Sequence, residues 1–151
     1  MIKIQQYSGN RVMSLSKQET LVNFLYKSLE QYGDPKADID KAINYALGRL
    51  YTDTRTGGLV LVAEHEGEIA GAVVINETGM GGYIPENILV YIATDPNLRG
   101  KGIGKQLMHK ALECSQGDVA LHVEADNPAR RLYESLGFTN KYLEMRYKKT
   151  D

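Results

Sequence analysis

Apolar positions recur every three or four residues through the first third of the chain, then gather into short β-rich runs. Leu21, Leu25 and Leu29 share one face of a predicted helix, because a turn of 3.6 residues stacks positions four apart. Ser16-Lys17-Gln18-Glu19 has the spacing of a capping box and marks the expected start of that helix, with Ser and Glu each satisfying a free amide. Asp34-Pro35 predicts a second start, since Pro is tolerated in a first turn whose N–H would be unpaired anyway. Ile39, Ile43, Ala46, Leu47 and Leu50 form the apolar stripe of this second helix, and a short strand at Ile2–Gln5 precedes both.

Leu59–Glu64 and Ile69–Ile75 read as the arms of a β-hairpin turning around Glu66-Gly67, where glycine supplies the positive φ of a tight turn. Thr78–Pro85 (TGMGGYIP) holds three glycines and a proline and must be a loop. From there strand and helix alternate. Ile88–Thr94 is a strand ended by Pro96, and Gly102–Ser115 a helix with Ile103, Leu107, Ala111 and Leu112 inward. Val119–Val123 is a strand, Pro128–Leu136 a helix capped by Asn127 and stopped by Gly137, and Tyr142–Tyr147 a final strand. This order implies a parallel strand pair with a right-handed crossover. With no repeat, linker or low-complexity tract, residues 1–151 read as one α/β domain.

Composition narrows the class. A chain of 151 residues, 42% hydrophobic and 25% charged, can bury a core and is not disordered. A formal net charge of −1 carries no nucleic-acid signature. The single cysteine excludes an internal disulfide and suits a reducing cytoplasm. Cys114, beside Ala111 and Leu112, reads as a small buried apolar residue. No apolar run approaches the roughly 20 residues that span a bilayer, and residues 1–10 lack a signal-peptide pattern. A soluble cytoplasmic protein is expected. His65, His109 and His122 are too scattered, with one cysteine, for a metal site. Tyr26, Tyr45, Tyr51 and Tyr91 sit within periodic elements, so core or pocket wall is expected of them in preference to base stacking.

The candidate chemistry lies in Asn97-Leu98-Arg99-Gly100-Lys101-Gly102-Ile103-Gly104-Lys105, between a strand and a helix start. Free amides and the helix dipole there favour anions. Glycines 100, 102 and 104 let the backbone approach a ligand, and Arg99, Lys101 and Lys105 add positive charge. Each helix-end charge interaction contributes about 0.3–1 kcal/mol when exposed, so several together can hold a diphosphate. The P-loop pattern fails because Gln106 follows Lys105, and the dinucleotide fingerprint fails because Leu107 stands where its third glycine belongs.

What matches is Arg-x-x-Gly-x-Gly at Arg99, Gly102 and Gly104, followed by the segment Asn127 to Phe138 (NPARRLYESLGF). Together with the hairpin Glu64–Gly71 (EHEGEIAG), these resemble the GNAT N-acetyltransferase superfamily over the last 80 to 90 residues. The resemblance implies a mixed, mainly antiparallel sheet with a splayed parallel pair and flanking helices. It divides the chain into acceptor-side helices, 1–52, and a hairpin with the acetyl-CoA-binding core, 58–151. Backbone groups of Ile92, Ala93 and Thr94 would pair with the pantetheine arm as with an added strand. Arg99, Gly100, Lys101, Gly102, Ile103, Gly104 and Lys105 would hold the pyrophosphate, and Asn127 either touches the cofactor or serves as a helix cap.

The resemblance also makes Tyr133 the expected general acid for the departing sulfur, against a core role beside Leu132 and Leu136. The family often has one more residue between this Asn and Tyr, which puts the side chain's direction in doubt. For the base, Glu86 ranks first, with His122 and Glu124 on one face of their strand, or solvent, as alternatives. The acceptor is expected to be a small-molecule or peptide amine, its choice set by Leu21–Tyr51 and the loop Thr78–Pro85; Asp34, Asp38 and Asp40 either attract it or are a solvated helix start. Two other readings stand beside the enzyme: an acyl-CoA-binding sensor without turnover, and an unrelated phosphate- or nucleotide-binding α/β protein. A homodimer fits a small enzyme of this kind.

Overall fold

The computed structural model describes residues 1–49 and 57–150. It forms two compact units, Met1–Leu121 and His122–Asp151, each taken by itself below. In the first, strands β1 (Lys3–Tyr7), β2 (Gly58–His65), β3 (Glu68–Glu77), β4 (Asn87–Thr94) and β5 (Val119–Leu121) form one sheet in chain order. Neighbours from β1 to β4 pair antiparallel, and β4 pairs β5 in parallel. This is the mixed, mainly antiparallel sheet that the resemblance implied. The β2–β3 turn has φ 52° at Glu66 and 82° at Gly67, positive at both central residues as a right-twisted hairpin favours.

Helices α1 (Leu15–Leu29) and α2 (Lys36–Ala46) cover one face of the sheet. Leu21, Leu25, Ile39 and Ile43 pack there with Val60, Val62, Ala72 and Val74. Helix α3 (Ile103–Cys114) covers the other face. A Cβ on Gly71 would lie 2.8 Å from Leu107 Cδ1 and 3.1 Å from the Ala93 carbonyl oxygen, so glycine is what lets helix and sheet approach there. Alternation then turns Val73 and Ile75 to the same side, and both are fully buried.

Several expectations change. Ser14, not Ser16, caps α1, its hydroxyl accepting from the Lys17 amide at 3.1 Å. The earlier start turns Gln18 inward, where its amide nitrogen donates to Asp40 Oδ1 and Asn44 Oδ1, both at 2.8 Å. Pro35 occupies the capping position of α2 instead of its first turn. Cys114 and Leu112 are only half-buried: the last turn of α3 is partly uncovered, and the Cys114 thiol faces Gln6 Oε1 at 3.4 Å. Tyr26 is 50% exposed, whereas Tyr91 is buried. Leu50 and Tyr51 lie outside the described residues.

The second unit contains helix α4 (Arg130–Ser135). It starts two residues later than expected, with Ala129 and not Asn127 at its cap and no side-chain cap bond; Asn127 Oδ1 instead accepts from the Ala129 amide at 2.9 Å in the turn before it, and Gly137 closes the far end with φ 100°. The strand expected at Tyr142–Tyr147 does not form. Its side chains Tyr142, Leu143, Met145 and Tyr147 are 78–89% exposed. A single extended segment can pair its amides and bury alternate residues only against a neighbour, and none pairs with it among the described residues.

Candidate functional site

Strand β4 is the spine of the first unit's site. Its pairing with β3 runs Gly71–Thr94, Ala72–Ala93, Val73–Ile92 and Val74–Tyr91, then jumps to Ile75–Leu89. Val90 is therefore an extra residue, a β-bulge that breaks the ladder and rotates the strand. The extra residue sets Leu89 opposite Ile75 and Tyr91 opposite Val74, and both side chains are buried, Tyr91 within the cluster under α1 and α2. On its other edge β4 meets β5 only at Asn87–Val119, Ile88–Ala120 and Leu89–Leu121. Beyond Leu89 that edge of Val90–Thr94 has no strand partner among the described residues. Bulge and loss of pairing coincide.

An unpaired edge offers alternating N–H and C=O groups to an extended ligand. Ile92, Ala93 and Thr94 lie on it. The edge leads through a short 3-10 turn, Pro96–Leu98, into the glycine loop. Gly100 and Gly102 both have φ 80°, the left-handed region, and nothing lies within 4 Å of where their Cβ atoms would be. Gly102 caps α3 with no side-chain hydrogen bond, so the first-turn amides of Ile103, Gly104 and Lys105 face outward uncapped. Lys101 is exposed beside them. This is a cradle of open backbone with a basic rim, and it fits a diphosphate. Arg99 points elsewhere: it donates to the Ser28 carbonyl at 3.3 Å and lies 3.6 Å from Glu30.

Glu86 stands just ahead of β4, where the parallel pair closes. Its Oε1 accepts from the Asp118 amide at 2.7 Å. That bond first, then bonds from its own amide and the Gly82 amide, hold its carboxyl below the usual range. Asn87, buried, donates through Nδ2 to the carbonyls of Gln116 at 2.8 Å and Asp118 at 3.3 Å. Thr78 shuts the Gly-rich loop, its hydroxyl donating to the Pro85 carbonyl at 2.8 Å and its amide to the Glu86 backbone carbonyl at 2.9 Å. Tyr91 donates to Asp34 Oδ2 at 2.6 Å, which ties the start of α2 to the bulged strand.

In the second unit, Tyr133 lies in α4 and is buried, its ring 6.0 Å from that of Phe138. Burial pushes its phenol up to about 12. Its hydroxyl makes no hydrogen bond with the described residues. His122 and Glu124 are exposed and follow the end of β5 at Leu121, so the strand alternation that grouped them does not apply. Neither the bulge nor the role of Asn87 was read from the sequence. Asn87-Ile-Leu-Val-Tyr-Ile-Ala-Thr94 is almost uniformly apolar after its first residue, so no break in alternation betrays the extra residue.

The chain belongs to the acetyltransferase (GNAT) domain family, whose pattern matches residues 56–140. It is 37% identical over 84 residues to a 5-NmdU N-acetyltransferase of Pseudomonas phage PaMx11, covering 54% of this chain and 58% of that protein. It is 41% identical over 58 residues to the N-alpha-acetyltransferase RimI of Mycobacterium tuberculosis, covering 37% of each. The chain thus aligns with only about half the length of these curated relatives, or less. A GNAT-family acetyltransferase structure from Streptococcus pneumoniae TIGR4 overlays all of this chain and all of its own, with a TM-score of 0.71 at 18% identity. That likeness is one of fold.

Proposed function

We propose that this chain is an acetyl-CoA-dependent N-acetyltransferase acting on a primary amine. The observation that carries the reading is the free edge of β4, Val90–Thr94, running directly into the uncapped start of α3. One elongated ligand with a strand-like arm and a diphosphate fits both. Family membership supplies the class of ligand.

Acetyl-CoA, when bound, supplies a thioester whose carbonyl carbon the amine attacks, the C–N bond forming as the C–S bond breaks. The chain's own groups do the rest. Ile92, Ala93 and Thr94 pair with the arm, and the amides of Gly102 to Lys105 with Lys101 hold the phosphates. Arg99, held on α1, steadies the loop from behind. The bulge at Val90 turns main-chain groups out of the β3 ladder at the end of the free edge, where they meet developing charge. Tyr133 keeps its proton at every working pH and donates a hydrogen bond to the departing sulfur. A phenol near 12 exceeds an ordinary thiol, about 8.5, so Tyr133 acts chiefly by hydrogen bonding as charge builds. The ammonium loses one proton to solvent before attack, and a second leaves the nitrogen as the C–S bond breaks and reaches the released thiolate through solvent. Asn127 braces the turn into α4.

The relatives act on different amines, and neither acceptor transfers by alignment alone. The test is release of free CoA from purified protein with acetyl-CoA and a panel of 5-NmdU, peptide N-termini, lysine peptides, polyamines and aminoglycosides. Turnover of at least one amine, well above thioester hydrolysis, is expected. Tight CoA binding with no transfer to any panel member would instead identify a sensor.

A further inference from the structure

Glu86 was attractive in the sequence as a base, yet its carboxylate is already spoken for. Its Oε1 accepts from the Asp118 amide ahead of β5 at 2.7 Å, and the amides of Glu86 itself and of Gly82 in the Gly-rich loop also favour its charged form. Two glycines make room for it. A Cβ on Gly81 would lie 2.9 Å from Oε2, and one on Gly117 2.4 Å from Oε1. The neighbouring Asn87 grips the same strand approach through Gln116 and Asp118, and its amide donates to the Asp118 carbonyl at 3.0 Å. The pair Glu86-Asn87 therefore knots the loop, β4 and β5 together where the parallel strands close. It lies immediately before the bulge at which they part.

We infer that Glu86 is a positioning residue: as an anionic acceptor of amides it locks the loop Thr78–Pro85 onto the β4–β5 closure and so fixes the acceptor side of the opening. The loop carries Met80, Tyr83 and Ile84 with their side chains 38%, 80% and 37% exposed. Apolar side chains on a short loop face water at a set position only if the loop's base is held, and the bonds of Thr78 and Glu86 hold it. A carboxylate held by amide donors is also a poorer proton acceptor, since each donor favours its charged form. The inference rests on the acetyltransferase reading for its kinetic consequence, but its structural content stands apart.

Two measurements test it. In amide hydrogen exchange, Gly82 and Asp118 are expected to be protected in the wild-type protein. Both should lose protection together, by about tenfold or more, in Glu86→Ala. Kinetics use whichever panel amine the wild type acetylates fastest. Glu86→Gln and Gly81→Ala should each raise that amine's KM about fivefold or more, with kcat and the acetyl-CoA KM changed less than about threefold. The acid limb of the pH profile should keep its position in both. Gly81→Ala displaces the carboxylate while leaving it ionisable, at a site whose backbone any residue tolerates, so it survives if Glu86→Ala fails to fold. An acid limb lost in Glu86→Gln with KM unchanged would overturn the inference and make Glu86 the base. Absence of any transfer by the wild type would count against the acetyltransferase reading alone. Amide exchange would still decide whether the knot exists.

Discussion

At the scale of single residues, what matters is where each proton sits. Tyr133 is buried without a charged partner, and desolvation disfavours its phenolate. Tyr133→Phe should therefore leave acetyl-CoA affinity nearly unchanged and cut turnover about tenfold or more, as expected when a departing anion loses one hydrogen bond; single-turnover and binding measurements together check it. Glu86 shows the opposite displacement, because amides stabilise its charge. A folded value below the unfolded one contributes stability above the unfolded pKa, near 4.3, that is lost as pH falls through the folded value. The protection of the Asp118 amide, its exchange rate relative to the intrinsic rate at the same pH, should thus stay high at neutral pH and fall only in acid below the ordinary glutamate range. A loss of protection already near pH 6 would contradict the assignment. Glu86 could be picked out in the sequence by its position, but its partner Asp118 lies 32 residues away. No local pattern encodes that bond.

Elements were most legible where periodicity is strong and both ends are punctuated. The hairpin, the loop after it, α3 and the parallel pair follow from apolar runs, glycines and Pro96. Caps are harder, because Ser14 and Ser16 offer the same chemistry two residues apart, and burial of Gln18 decides between them. Ser14→Ala should cost about 1 kcal/mol in chemical denaturation, as lost N-caps do, whereas Ser16→Ala should be nearly neutral. Equal effects would mean that the helix start frays between the two. The bulge and the missing last strand were illegible for another reason. Each depends on what lies alongside, and Tyr142–Tyr147 has the alternation of a strand without a pairing neighbour among the described residues. Gly102 marks the limit of local reasoning in the other direction. Its φ of 80° follows from its place as helix cap, and Gly102→Ala should cost about 1–2 kcal/mol for the left-handed backbone and weaken CoA binding in titration.

The first unit as a whole presents two weak binding features in series, a strand edge and a helix start, and neither is specific alone. Joined by one ligand, the second contact becomes intramolecular, so the combined affinity exceeds that of either fragment. That makes a prediction about ligand choice. ATP and NAD carry phosphates for the loop but no strand-like arm, while pantetheine has the arm and no diphosphate. Only CoA and acetyl-CoA carry both. At about 100 times its dissociation constant a ligand stabilises the native state by about 2.7 kcal/mol. For a chain of this size each kcal/mol moves the melting temperature by about 2–4 °C, so a shift of about 5–10 °C is expected with CoA. Under the same conditions ATP, NAD and pantetheine should each give a shift within a degree or two of the unliganded protein. Replacing both Lys101 and Lys105 with alanine should pull the CoA shift toward that of pantetheine while leaving the unliganded melt unaltered. Equal shifts with ATP and CoA would mean that the glycine loop acts without the strand edge, and the reading of β4 as half of the site would fall.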